Sequence, residues 1–399
     1  MKHLFPGATG HFSLIQGCYW MTYCILISFS SLYLLDRGFT NTQIGLLLGI
    51  AGLTAAILQP FVGAKGDHLK VLSLRQFTSL PIAAMILCGV GLFLVPAKPV
   101  QAALYMVLLV LLQLLTPLIY SLGMDCLNNH IELNFGLARG IGGGTYALAS
   151  AVCGSLAAAL GARVIPLVLV VAVALMLAFT FTFRQGGPVK STLPKPDALP
   201  QSDGTPFLKK YPQVLPLLIG VILLYTSHNV IMNFPYQIVQ SLGCGSAEMG
   251  HYLTLQSLMD IPAMVVFSLL LKRASSRAWV RLTGISFFLH ALLTWLAPNL
   301  PFLMVVQVFE MSGYALYSVS SVYFVNEMVD LCDRVQGQTY FTMANTIGIV
   351  LSSVLGGRLL DLGGASAALC LATVTGAAGM VILWILLRRK SLRPATNAA

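Results

Sequence analysis

The residue in this sequence whose surroundings say most about its chemistry is Glu310. It is the sole charged residue between Phe302 and Val325. A carboxylate in so apolar a run is costly as an anion and is therefore disposed to take up a proton. A second acid, Asp260, lies two residues before Pro262 in Leu258-Met259-Asp260-Ile261-Pro262, where a proline loosens the helix backbone. His290 lies in another apolar segment and brings an imidazole, a group whose ordinary titration is near neutrality. Asp260, His290 and Glu310 are expected to form a proton relay, with a hydrogen-bonded core histidine as the alternative reading of His290. Arg139 offers different chemistry: its planar fork can bond two vicinal hydroxyls or a carboxylate. Tyr146 follows seven residues later, about two helical turns on, with Gly142, Gly143 and Gly144 between them leaving approach unblocked. His228, Asn229, Asn233 and Gln307 add polar groups to apolar segments and are expected to line a cavity.

These residues must be held by elements that cross a membrane. Of 399 residues, 57% are hydrophobic and only 9% charged, against about 25% charged in a soluble domain. Apolar stretches predict spans at 12–35, 41–64, 76–96, 101–125, 139–160, 163–183, 213–240, 247–271, 279–297, 300–326, 336–358 and 365–387. The Pro- and Lys-rich stretch 184–211 divides them into an N-terminal six-helix bundle, 1–183, and a C-terminal one, 212–399 with a short tail.

The net charge of +10 is explained by topology. One side of the membrane receives Lys2, Lys65, Lys70, Arg75, Arg139, the clusters within 184–210 and 272–281, Arg334 and the 388–393 tail. The other receives Arg37, Lys98, Arg163 and Arg358. The positive-inside rule makes both termini and the linker cytoplasmic, and the protein a multi-pass protein of the cell membrane. No basic patch interleaved with aromatics points to nucleic acid. The first ten residues lead into a span expected to be retained, since no small-residue cleavage pattern follows. Eight cysteines are scattered singly, without metal-ligand spacing, so neither a metal nor a cofactor is expected.

The halves echo one another. Gln43-Ile44-Gly45 opens a helix carrying Pro60, and Glu248-Met249-Gly250 opens one carrying Pro262; Thr145-Tyr146 is matched by Thr339-Tyr340. Parallel repetition of six-span halves is a transporter trait. The segment Gly63-Ala64-Lys65-Gly66-Asp67-His68-Leu69-Lys70 resembles the loop signature of the major facilitator superfamily between spans two and three. That resemblance implies twelve helices in two pseudo-symmetric bundles, with Gly63 allowing close helix approach and Asp67 acting as a conformational latch. The alternative is an ordinary basic cytoplasmic loop.

Phe135-Gly136-Leu137-Ala138-Arg139, followed by Tyr146, resembles the lactose permease branch, the oligosaccharide:proton symporters. The resemblance implies that Arg139 hydrogen-bonds a sugar, that Tyr146 stacks on it, and that Asp125 is the partner acid on the fourth span, with Asn128 and Asn129 as the nearby polar alternatives. Val306-Gln307-Val308-Phe309-Glu310 resembles the branch's Leu-His-Met-Phe-Glu, whose Glu carries the proton. Gln307 stands where that branch has His, His290 where it has Arg, and His228, Asn229 and Asn233 where it has acids.

The chain is accordingly expected to be a secondary carrier, functional as a monomer among membrane lipids, that imports a small polar solute such as a sugar with protons by alternating access. A nucleoside:proton symporter and an exporter of amphiphiles are the alternatives within the class. A membrane sensor or intramembrane enzyme is the alternative outside it. No Walker A motif, metalloprotease histidine pair, nucleophile elbow or intramembrane catalytic pair supports an enzyme.

Overall fold

The computed structural model describes residues 7–67, 73–128, 131–183, 206–270, 274–330 and 333–388. They are almost wholly helical, as a chain in hydrocarbon requires, because a helix satisfies its backbone hydrogen bonds within itself. In chain order the helices are α1 (Gly7–Tyr23), α2 (Ser30–Asp36), α3 (Asn41–Asp67), α4 (Leu74–Leu94), α5 (Lys98–Asn128), α6 (Phe135–Leu160), α7 (Ile165–Thr182), α8 (Phe207–Lys210), α9 (Val214–Asn233), α10 (Pro235–Ser241), α11 (Ser246–Leu270), α12 (Ser276–Trp295), α13 (Leu300–Glu310), α14 (Leu316–Met328) and α15 (Arg334–Leu387). A π-helical turn, Cys24–Ser28, leads from α1 towards α2, and another, Met311–Ala315, joins α13 to α14.

All twelve expected segments lie on these helices. Among the described residues eight helices are long and apolar enough to cross a membrane, or nine if α1 and α2, bent by 48°, count as one span. The long α15 breaks at Gly363 and Gly364, the latter at φ 65°, a backbone conformation that favours glycine. Short polar side chains begin several helices. Ser73 and Gln76 form a capping box on α4, and Asn134, Ser275 and Asn299 accept from first-turn amides of α6, α12 and α13.

The chain forms two compact units, Met1–Thr192 with Asn233–Leu258, and Leu193–Met232 with Met259–Ala399. Residues 233–258 thus pack with the first unit although they follow the linker. Within that unit α6 and α11 meet at backbone distance: a Cβ on Gly154 would lie 2.8 Å from Gly250 Cα and 2.6 Å from the Ser246 carbonyl oxygen. Ser150 Oγ and Thr254 Oγ1 touch across the same crossing at 2.9 Å. Ser257 Oγ donates to the Gly143 carbonyl, and Gln237 Nε2 donates to Asn41 Oδ1 at 2.7 Å.

In the second unit α9 is held closely against α15. A Cβ on Gly379 would lie 2.9 Å from the Gly220 carbonyl oxygen. Phe207, Tyr211, Leu217, Tyr225, Phe287, Tyr317 and Phe324 fill its core. A polar clasp closes one end. Lys210 Nζ lies 2.7 Å from Asp333 and 3.2 Å from Asp330, and the Tyr211 hydroxyl lies 2.9 Å from both carboxylates. The hydrogen bond to Asp333 holds the Lys210 ammonium above its ordinary range, so the lysine keeps its charge at neutral pH and gives up its share of the pair as pH rises through that raised value.

Asp333→Asn should lower stability by about 2 kcal/mol, since a hydrogen bond to a charged group is lost at a buried position. Lys210→Met should cost at least as much by leaving Asp333 without its cation, while the pair Lys210→Met with Asp333→Leu recovers part of the loss. Thermal unfolding of the detergent-solubilised protein measures all three; equal melting of wild type and Asp333→Asn would show that the clasp contributes nothing.

Candidate functional site

Expected residues meet at one point in the second unit, and in the first unit two of them, Arg139 and Tyr146, contact the same span. In the second unit, three helices bring their polar side chains to one point. His228 comes from α9, His290 from α12 and Glu310 from the end of α13. Both imidazole Nδ1 atoms lie 3.3 Å from Glu310 Oε2, and the three residues are 4%, 1% and 1% exposed. Glu310 is the last residue before the π turn, which packs its own residues onto the same group. Tyr314 stacks on His228 with ring centroids 4.8 Å apart and planes 6° from parallel, and Ser312 Oγ donates to Ser286 Oγ. A π turn inserts one residue into the helix and recurs at functional sites.

Chemically this is a carboxylate flanked by two imidazoles in a place closed to water. At these distances the three residues can pass one proton among them, and a positive charge on either imidazole would favour the carboxylate as an anion. One ligand atom from each of the three residues falls within 4.8 Å of the others, so they are also the residues that could hold a metal ion. Asp260 is half-buried on α11, and His228 joins the two expected residues His290 and Glu310 in the group. Gln307, one turn before Glu310, is fully buried and donates to the Leu303 carbonyl. Asn229 turns its amide back to the Tyr225 carbonyl of its own helix.

The other group is in the first unit. Asn134 caps α6 and is itself positioned by Thr9, which accepts from the Asn134 amide; Arg139 follows in the second turn. Its Nη1 donates to the Tyr120 hydroxyl at 2.8 Å, and its guanidinium lies 4.5 Å from the ring centroid of Trp20. Gly142 makes that arrangement possible: any Cβ there would run into the indole. Tyr146, two turns further on, hydrogen-bonds Ser28 in the first π turn at 2.6 Å. Arg139 and Tyr146 therefore both reach the span that begins with α1. Asp125 is half-buried five positions after Tyr120 on α5. Asn233, 5% exposed, lies with this unit and accepts from Ser31 through its carbonyl.

Gly63 and Asp67 lie in the last residues of α3; the side chains of 63–67 and all of 68–72 lie outside the described residues. Sequence reasoning did not single out Trp20, Tyr120 or Ser28, and it placed His228 only among general cavity residues. The available signal for the aromatic contact was the pair Trp20 and Tyr23, on adjacent turns of one face, opposite a run of glycines.

The fit of Trp20 against Gly142 is testable. Gly142→Val should lower stability by about 1–3 kcal/mol through overpacking, and adding Trp20→Ala should restore much of it. If the double variant melts no higher than Gly142→Val alone, the two positions do not share a packing constraint.

A family model described as MFS_1 like family matches residues 13–370. No curated protein matches the chain. Among solved structures, a mutant of the nucleoside transporter NupG superposes with a TM-score of 0.78 at 14% identity, covering 96% of this chain and 99% of that one. NupG itself gives 0.74 at 16% identity with the same coverage. A bacterial homologue of the iron transporter ferroportin, in its inward-facing state, gives 0.70 at 14% identity, again covering 96% and 99%. At such identities the likeness is one of fold.

Proposed function

We propose that this chain, which belongs to the MFS_1 like family of major facilitator transporters, is a proton-coupled symporter that imports a small polar solute. Its fold class is that of a multi-pass α-helical secondary transporter, and the coupling ion, solute and direction are our reading. The observation that carries it is Glu310, buried in the second unit within 3.3 Å of two imidazoles. A carboxylate so enclosed cannot change its charge without a proton entering or leaving, which is the property a coupling site needs. His290 and His228 accept or release that proton, and Asp260 serves as a further acid on the path. Arg139 and Tyr146, with Asp125 on the neighbouring helix, hold the solute.

The two bundles 1–183 and 212–399, joined by the 184–211 linker, act as the bodies that alternate, the grouping of residues 233–258 with the first unit belonging to one state of that cycle, and Asp67 with Gly63 latches one state. Solute and proton each favour the switch through differential affinity for the two states. The motif resemblance to oligosaccharide:proton symporters supports a sugar-like solute. The fold shared with a nucleoside transporter supports a nucleoside as the second candidate. The protein works as a monomer in the cell membrane, with both termini cytoplasmic, and not as an enzyme.

Glu310→Gln should abolish uphill accumulation driven by an imposed pH gradient in proteoliposomes while preserving solute binding and exchange. Undiminished accumulation in that variant removes Glu310 from the coupling step. For the latch, Asp67→Asn should slow transport several-fold with equilibrium affinity within about twofold of wild type, since an interfacial charge changes the switch and not the site. A large loss of affinity at an unchanged turnover would overturn that role.

A further inference from the structure

The first unit contains polar atoms that its own fold leaves unsatisfied. Gln16 is fully buried, yet neither its amide oxygen nor its amide nitrogen has a hydrogen-bond partner among the described residues. The indole Nε1 of Trp20 is buried without one as well. Residues four apart lie on the same face of a helix, so Gln16 and Trp20 are neighbours along α1. Trp20 is also the residue whose ring faces the Arg139 guanidinium at 4.5 Å. Arg139 gives one N–H to Tyr120 and forms no ion pair among the described residues.

Buried amide and indole groups without partners carry the full desolvation penalty of their polar atoms, and native proteins keep few of them. A ligand that supplies the missing partners explains both. The composition of the set then says what the ligand is. Donors dominate: the remaining guanidinium N–H groups, the indole N–H and the Gln16 amide N–H₂, against one acceptor, Gln16 Oε1. A planar arginine fork with further donors alongside it matches the oxygens of a carboxylate. A carboxylate would also bring an opposite charge to a guanidinium near the end of a span. A neutral sugar or nucleobase would satisfy hydrogen bonds there and bring no charge to meet it.

We propose that Gln16, Trp20 and Arg139 form the solute subsite of the first unit and that the group they receive is a carboxylate, making the solute a small organic acid of the sugar-acid kind. This rests on the carrier reading given above and narrows its solute class. It also suits proton symport, because a monoanion and one proton cross the membrane together without net charge.

The test is binding to the purified full-length protein without any gradient, read by calorimetry and thermal shift. The probes are D-glucuronate and D-gluconate, with D-glucose and uridine as neutral counterparts. At least one acid should bind about tenfold more tightly than either neutral compound, the equivalent of one charge-assisted contact. Gln16→Leu should raise the melting temperature of the ligand-free protein, since it removes an unsatisfied amide, while weakening acid binding about tenfold. Trp20→Phe, which keeps a ring and loses the N–H, should weaken it several-fold, and Arg139→Lys should weaken it further.

Equal or tighter binding of glucose or uridine overturns the proposal, as does failure of both acids to bind. A Gln16→Leu protein that melts lower and binds normally shows the amide to be structural and overturns the subsite. The two readings fail separately. Acid binding without gradient-driven accumulation would sink the symport and leave the subsite standing; accumulation of a neutral solute without acid binding would do the reverse.

Discussion

Inside a membrane a polar side chain cannot be left to water, so each one must be answered by another group of the protein or by a ligand. Glu310 is where this constraint is most severe, because a buried carboxylate must be met by a proton, a cation or several hydrogen-bond donors. The second unit is arranged around it. α9 is drawn against α15 by glycines, which brings His228 inward, and α12 supplies His290 from another side. The π turn that follows Glu310 lets α13 continue into α14 while Tyr314 lies flat on His228. Remove the carboxylate and nothing else in that region requires two buried imidazoles to face one point.

The first unit answers the same constraint by other means. Arg139 is not met by an acid among the described residues; it is met by a hydroxyl and by the face of an indole, which a cation tolerates through the ring's quadrupole. A π turn again stands beside the site, with Ser28 holding Tyr146. Both units thus place an irregular helical turn against a residue of the candidate site, Glu310 in one and Tyr146 in the other. Such a turn exposes backbone groups that a regular helix would keep to itself, and it is tolerated at membrane depth only where the surroundings can satisfy them.

Much of this was legible in the sequence, and the limits have a physical origin. Spans follow from hydropathy because the membrane imposes one length and one composition on every crossing segment, so the twelve expected segments fall on helices. Glu310 and His290 were legible for the same reason, as isolated ionisable groups in apolar runs. The third partner was not, because nothing local tells His228 apart from Asn229 beside it. Only the rotation of α9 within the unit decides that the imidazole faces Glu310 while the amide bonds its own helix. Trp20 escaped notice likewise, since an aromatic in a span is ordinary until a glycine opposite makes room for it. The grouping of residues 233–258 with the first unit is a matter of long-range packing that no linear boundary at the linker can express.

The crossing of α6 and α11 has a mechanical character of its own. Where Gly154 meets Gly250 the surfaces touch through backbone, so at that point neither residue has a side chain that must change rotamer for the helices to draw apart. The hydroxyls that bridge the crossing are equally undemanding. Ser150 already donates to Ala147 one turn back, and Thr254 to Gly250, each within its own helix. Parting the two helices would strand neither donor, even in hydrocarbon where a stranded donor is most costly. What separation would undo is one hydroxyl further along, since Ser257 donates to the Gly143 carbonyl across the same pair of helices. The contact at the glycines therefore behaves like two smooth faces laid together, with a single latch beside them.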